Sequence, residues 1–166
     1  MHILVNALIV LGTFVTMEAV AWLAHRFVMH GAMWWFHHDH HNHQPGFFEK
    51  NDAFALIFAI PSAWFFYSGT MSGDFRIWIG LGILIYGICY VFVHDIFIHQ
   101  RFKWLRRTNS VYLTAIRKAH YMHHKHLGPE DGECFGMLMA PPKYFREARV
   151  AVAARRAAQS GRKKTD

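Results

Sequence analysis

Fourteen of the 166 residues are histidine, and most of them fall into four short runs whose spacing suits metal ligation. In AHYMHHKH, His120, His123 and His124 stand at i, i+3 and i+4, positions that share one face of an α-helix, so three imidazoles can point together. His37, His40 and His41 repeat this HxxHH spacing in WWFHHDHH. His25 with His30, and His94 with His99, share a different one, HxxxxH. On an ideal helix an i, i+5 pair diverges by about 140°, so either the helix deforms there or the two side chains serve different metals. The second alternative accords with a set of ten histidines, too many for one ion and suited to two. His38, His43 and His126 break the repeated spacing and are expected to be outer, packing or solvated residues. His2, at the far end of the first apolar stretch, is expected to lie on the opposite side and to have no special role.

Ligand type does not select the metal, because imidazole suits zinc, copper, iron and nickel alike. No ExxH pair occurs anywhere in the chain, which argues against the carboxylate-rich di-iron bundle. Hydrolytic zinc would call for an adjacent general base and a water-borne substrate. A redox-active dinuclear iron site could instead activate dioxygen and attack an unactivated C–H bond. Asp39, Asp95 and Asp52 are candidate hydrogen-bond acceptors behind the imidazoles, with helix caps or solvated charges as equal alternatives. Glu18 lies within an apolar stretch, seven residues before His25 and on its face, where a buried charge is a functional candidate; a structural hydrogen bond is the alternative.

The elements that must position these residues are apolar. Hydrophobic residues make up 53% of the chain and charged residues 17%, with a mean hydropathy of +0.08. This composition excludes a disordered chain and, with so many histidines, an ordinary soluble enzyme. Cys89 and Cys134 are too few for a tetrathiolate zinc site or a disulfide framework. Residues 3–24 hold a single charge, Glu18, and residues 53–71 and 77–93 hold none. Each stretch is long enough to span a bilayer, the third if it extends toward His99. The first lacks a basic leader region and a small-residue cleavage site, so it is expected to be retained.

Residues 94–166 carry 15 Lys and Arg against 6 Asp and Glu, whereas residues 1–93 carry 3 against 5. The positive-inside rule then places the chain after the third span in the cytoplasm, together with residues 25–52. All four histidine runs thereby fall on one membrane face. The expected fold is an all-α integral membrane protein with three transmembrane helices, or at most four, over about 3–24, 53–71 and 77–99, and a cytoplasmic helical cap carrying a histidine-rich dinuclear site. One domain covers residues 1–158, with a basic amphipathic helix from Lys143 to Ala158 and a frayed basic tail over 159–166. The positive charge reads as a topology and lipid-contact signal rather than as a nucleic-acid surface. Trp22, Trp34, Trp35, Phe36 and Phe97 are candidates for a substrate pocket, with an interfacial aromatic belt as the alternative. Gly80, Gly82 and Gly87 suit either close helix packing or a groove.

The order HRFVMH, WWFHHDHH, FVHDIFIHQRF, AHYMHHKH and EDGECFGMLMAPPKYF, with FEKNDAF at 48–54, resembles the bacterial β-carotene 3-hydroxylases of the fatty acid hydroxylase superfamily. HDIFIHQRF and FGMLMAPP are the stretches that narrow the resemblance to carotenoid hydroxylases. It implies two iron ions held by His25, His30, His37, His40, His41, His94, His99, His120, His123 and His124, the set that spacing also isolates, with zinc able to substitute in purified protein. It further implies a monooxygenase that uses dioxygen and a reduced donor such as ferredoxin. One oxygen atom would enter carbon 3 of each β-ionone ring, turning β-carotene into zeaxanthin through β-cryptoxanthin, and the other would leave as water. Other readings are a membrane oxygenase acting on a fatty acid, a sterol or a different carotenoid, and a non-enzymatic haem or metal-handling protein.

Overall fold

The computed structural model of the chain describes residues 2–42, 46–102, 107–130 and 132–162. Among the described residues the architecture is entirely helical. The helices are α1 (His2–Leu23), α2 (Trp34–His41), α3 (Phe54–Ser72), α4 (Arg76–Val91), α5 (Val111–His123) and α6 (Pro142–Arg162). Two π-helical segments continue α1 over Ala24–Ala32 and α4 over Phe92–Ile98. Three helical stretches are long and apolar enough to cross a membrane: His2–Ala32, Lys50–Ser72 and Arg76–Ile98. The first runs eight residues beyond the expected end, because its π-helical extension does not stop where the hydrophobic run meets His25.

α4 packs between α1 and α3, and small residues allow the approach. A Cβ on Gly82 would meet the Thr13 side chain at 2.6 Å, and one on Gly80 would meet Phe66 N and Ser62 O at 3.0 Å. Ser62 donates its hydroxyl to Gly80 O at 2.9 Å across the same seam. Met17, Ala21, Ile83 and Tyr86 form the buried core between α1 and α4. Many large side chains point outward, among them Leu4, Leu8, Leu11, Ile60, Trp64, Tyr67 and Ile88. That pattern suits helices whose outer surface faces hydrocarbon. α3 continues through Pro61 and ends at Gly73, whose φ of 66° is the left-handed conformation that terminates helices.

Below one end of these three helices, α5 and α6 form a second layer. The Ser110 hydroxyl caps α5 by accepting from Leu113 N. On α6, Tyr144, Ala148 and Val152 are buried at intervals of four, and Tyr144 and Ala148 pack on Ala115 and Ala119 of α5. α6 runs to Arg162, so the helix expected to stop at Ala158 takes in the first part of the proposed tail. Residues 163–166 of that tail lie outside the described residues, as does His43.

Candidate metal centre

The π-helical segments decide how the histidines meet. Bonds of the i→i+5 type bring residues five apart onto one face, and Met33 N donates to Val28 O, and His99 N to His94 O, each at 2.8 Å. The helix deforms at both HxxxxH pairs, and each pair stays together. Two groups of nitrogens result, each with all ligand atoms within 4.8 Å of one another: His25, His30, His37, His41 and His123 in the first, and His40, His94, His99 and His120 in the second. His124 belongs beside the second, its Nε2 lying 2.8 Å from that of His120. The HxxHH runs are the elements that divide. The i, i+4 members stay together, as His37 with His41 and His120 with His124, whereas His40 and His123 turn to the other group.

Hydrogen bonds on the far side of seven of the ten rings fix their tautomers. Nδ1–H of His25 donates to Phe135 O at 3.0 Å, that of His30 to Pro129 O, that of His123 to Glu133 O at 2.8 Å, and that of His41 to His126 O at 2.9 Å. His37 donates to Asn51 Oδ1 at 2.6 Å, His40 to Glu49 Oε2 at 2.7 Å and His94 to Asp95 Oδ1 at 3.1 Å. With the proton on Nδ1, the Nε2 of each of these seven carries a bare lone pair.

These bare nitrogens face one another. Nε2 to Nε2 is 3.1 Å for His25–His37, His30–His123 and His40–His94, and 2.9 Å for His99–His120. Buried His41 Nε2 has no hydrogen-bond partner among the described residues. Protonation is not the remedy. Burial lowers the pKa of His37 to about 3 despite the Asn51 hydrogen bond, that of His41 to about 4 and that of His123 to about 2. Burial also pushes His40, His120 and His124 down, with neighbouring imidazoles adding to the shift. Facing lone pairs repel unless a cation lies between them. Two imidazole nitrogens at about 2.1 Å from one metal and a right angle apart are about 3.0 Å from each other. The donor set therefore fits two metal ions.

Several sequence-based expectations land elsewhere. Of the carboxylates, Asp95 touches a ring. Asp39 accepts from Lys50 N at 2.8 Å, and Asp52 caps the Lys50–Ala53 turn and pairs with Arg101. Glu18 is a structural anchor: its Oε1 accepts from the backbone N–H of Met137, Leu138 and Met139, and its Oε2 accepts from Tyr86 OH at 2.8 Å. It thereby ties down the segment over 132–141, whose Glu133 and Phe135 carbonyls support two of the rings. Cys134, at φ 63°, sets the turn between the last two. His2 and His38 are exposed, and the His126 side chain is half-buried. Glu49, Asn51 and Arg101 escaped spacing arguments because none is itself a metal-binding pattern, although the first two lie within FEKNDAF.

The five aromatic residues proposed for a pocket line neither of two large cavities. Trp34 packs on His30 and His41, Phe97 is fully buried under the Arg117 guanidinium, and Trp35 is exposed against Phe36. Trp22 meets Phe27 and Phe135 edge-on. An apolar groove of about 830 Å³ runs instead between α3 and α4, lined by Phe54, Phe58, Phe66, Tyr86, Gly87 and Tyr90 and reaching His94 and Asp95. Of the three glycines, Gly80 and Gly82 serve packing, while Gly87 opens on this groove with nothing within 4 Å of its Cβ position. A second cavity of about 670 Å³ reaches His40, His99, His120 and His124 from the side of α5.

No solved structure matches the chain. A β-carotene hydroxylase of Pantoea ananas is 42% identical over 82% of this chain and 78% of its own length. One from Pseudescherichia vulneris is 40% identical over the same shares. The chloroplastic β-carotene hydroxylase 2 of Capsicum annuum is 36% identical over 78% of this chain and 43% of its own. The fatty acid hydroxylase family profile matches residues 10–140, which contain every histidine of both groups. The chain, an all-helical protein with three candidate membrane spans and two facing histidine groups, belongs to the fatty acid hydroxylase family.

Proposed function

We propose that this protein is a β-carotene 3-hydroxylase, converting β-carotene to zeaxanthin through β-cryptoxanthin. The observation that carries the reading is the apolar groove between two candidate spans that ends at the second histidine group, in a chain about 40% identical to bacterial β-carotene hydroxylases. Two iron ions, held by the ten histidines His25, His30, His37, His40, His41, His94, His99, His120, His123 and His124, would supply dioxygen activation and the oxidising power to break a C–H bond.

The chain's own residues supply position and exclusion. The walls of Phe58, Phe66 and Tyr86 suit a hydrocarbon arriving from the bilayer, and desolvating it there favours binding. Tyr90, whose ring lies 5.1 Å from that of His94, closes the groove beside the ligands and keeps water from the reacting carbon. Seven Nδ1–H donors held by fixed acceptors keep the rings from turning, so the ligand atoms need no reorganisation. In the net reaction one oxygen atom enters the C–H bond and the other becomes water, with two electrons from an external donor and two protons from solvent. A ferredoxin-type carrier fits the basic surface of α6. The inner membrane, with the histidine end in the cytoplasm, accords with the charge asymmetry of the chain.

A fatty acid or sterol would also enter an apolar groove, and relatives' names favour the carotenoid. Haem is disfavoured because nitrogens packed within 4.8 Å leave no room for a macrocycle between them. The test is purified protein loaded with iron and supplied with dioxygen, a reductant and β-carotene in lipid. Zeaxanthin and β-cryptoxanthin are the expected products, and recovery of unchanged β-carotene from iron-loaded protein overturns the reading.

A further inference from the structure

The two histidine groups are supported by different chemistry. In the first, the acceptors behind the rings are backbone carbonyls of Pro129, Glu133, Phe135 and His126 and the amide of Asn51, all neutral. In the second, His40 and His94 rest on the carboxylates of Glu49 and Asp95, while His120 Nδ1 has no hydrogen-bond partner among the described residues. One guanidinium organises those carboxylates. Arg101 Nη2 lies 3.2 Å from Glu49 Oε2, the same oxygen that accepts from His40, and Arg101 Nε lies 3.6 Å from Asp95 Oδ1, the oxygen that accepts from His94. Arg101 also grips both oxygens of Asp52, at 2.7 and 3.1 Å, and Asp52 in turn caps the turn that carries Glu49.

The backbone is bent to put Arg101 there. Gln100 has a φ of 54°, a left-handed conformation that is strained for a non-glycine residue. Arg101 N donates to Asp95 O at 3.0 Å just beyond the π-helical segment. The Arg101 side chain is 16% exposed and that of Glu49 10%, so these charges act at short range with little screening. An imidazole that donates to a carboxylate is a stronger metal ligand than one that donates to a carbonyl.

We propose that Arg101 is a positioning residue that makes the two metal positions unequal: by holding Glu49 and Asp95 against His40 and His94, it makes the second position the tighter. This rests on the two-metal reading above.

The test is a chelator titration of the detergent-solubilised, metal-loaded protein, with bound metal counted rather than activity. Wild-type protein is expected to release its two metals in separate steps, the looser from the first position. Asn51→Ala should ease the first step. Arg101→Ala should weaken the tighter position by about 10–100-fold and bring the two steps together, with Arg101→Lys partly restoring the separation. Glu49→Gln and Asp95→Asn keep an acceptor of the same shape and remove the charge, so they should act like Arg101→Ala even if that variant folds poorly. Two metals released together from wild-type protein, or a normal two-step release in Glu49→Gln and Asp95→Asn, overturns the proposal alone. Fewer than two metals bound by the wild type overturns the two-metal reading and the proposal with it.

Discussion

His37 and His40 stand three residues apart on α2 and turn to different histidine groups, Nε2 of the first lying 3.1 Å from His25 Nε2 and that of the second 3.1 Å from His94 Nε2. α2 thus runs between the two groups and contributes to both. His37→Ala and His40→Ala should each cost mainly one of two bound metals, and each should lower turnover at least about 100-fold. Metal counts on the purified variants check this, and loss of both metals from both variants would contradict the division.

Metal removal should loosen the fold, because it leaves lone pairs facing each other at 3.1 Å. A ligand held at 100 times its dissociation constant stabilises by about 2.7 kcal/mol. The melting temperature of the protein in detergent should fall by several degrees with chelator and recover on adding divalent iron. An unchanged melting temperature would count against the fit of the donor set.

Glu18 is expected to matter for stability and, through the segment over 132–141, for metal retention. Glu18→Ala orphans the part-buried N–H groups of Met137 and Leu138 and the Tyr86 hydroxyl, and leaves the exposed Met139 N–H to water, a loss of about 3 kcal/mol at about 1 kcal/mol for each part-buried group. Glu18→Gln keeps one oxygen acceptor and should cost less. Thermal unfolding of the two variants against wild type separates these outcomes.

Gly80 and Gly87 give opposite expectations on one helix. Gly80→Ala forces a Cβ to 3.0 Å from backbone atoms of α3 and should destabilise by about 1–3 kcal/mol. Gly87→Ala meets nothing within 4 Å and should be neutral in stability. Gly87→Phe should keep wild-type metal content while raising the KM for carotenoid, because the ring fills the groove. An unaltered KM would move the substrate elsewhere.

Arg146 and Arg149 are exposed on α6. If an acidic electron carrier docks there, turnover driven by that carrier should fall steeply with ionic strength, and Arg146→Glu with Arg149→Glu should slow it further. Turnover driven by a small chemical reductant should respond to neither. A salt-independent rate with the protein carrier would exclude the basic face.

The histidine types and spacings, the three apolar stretches and the charge asymmetry are local properties, and they suffice to expect helical membrane spans with a two-metal set at one end. Which nitrogen joins which metal position is not local. A 3.6-residue period sends His25 and His30 apart, and only the π-helical backbone, which the helices packed around it hold in place, keeps them together. The supports behind the rings were hidden for a related reason. Carbonyls at Glu133 and Phe135 belong to every residue type, and their value comes from a segment that Glu18 holds against α1 from about 120 residues away. The same applies to Arg101, one of 18 Lys and Arg in the sequence, whose role exists because three carboxylates from two separate segments converge on it. Residue chemistry is written along the chain, whereas the sharing of that chemistry between two metal positions is decided by which backbone segments meet.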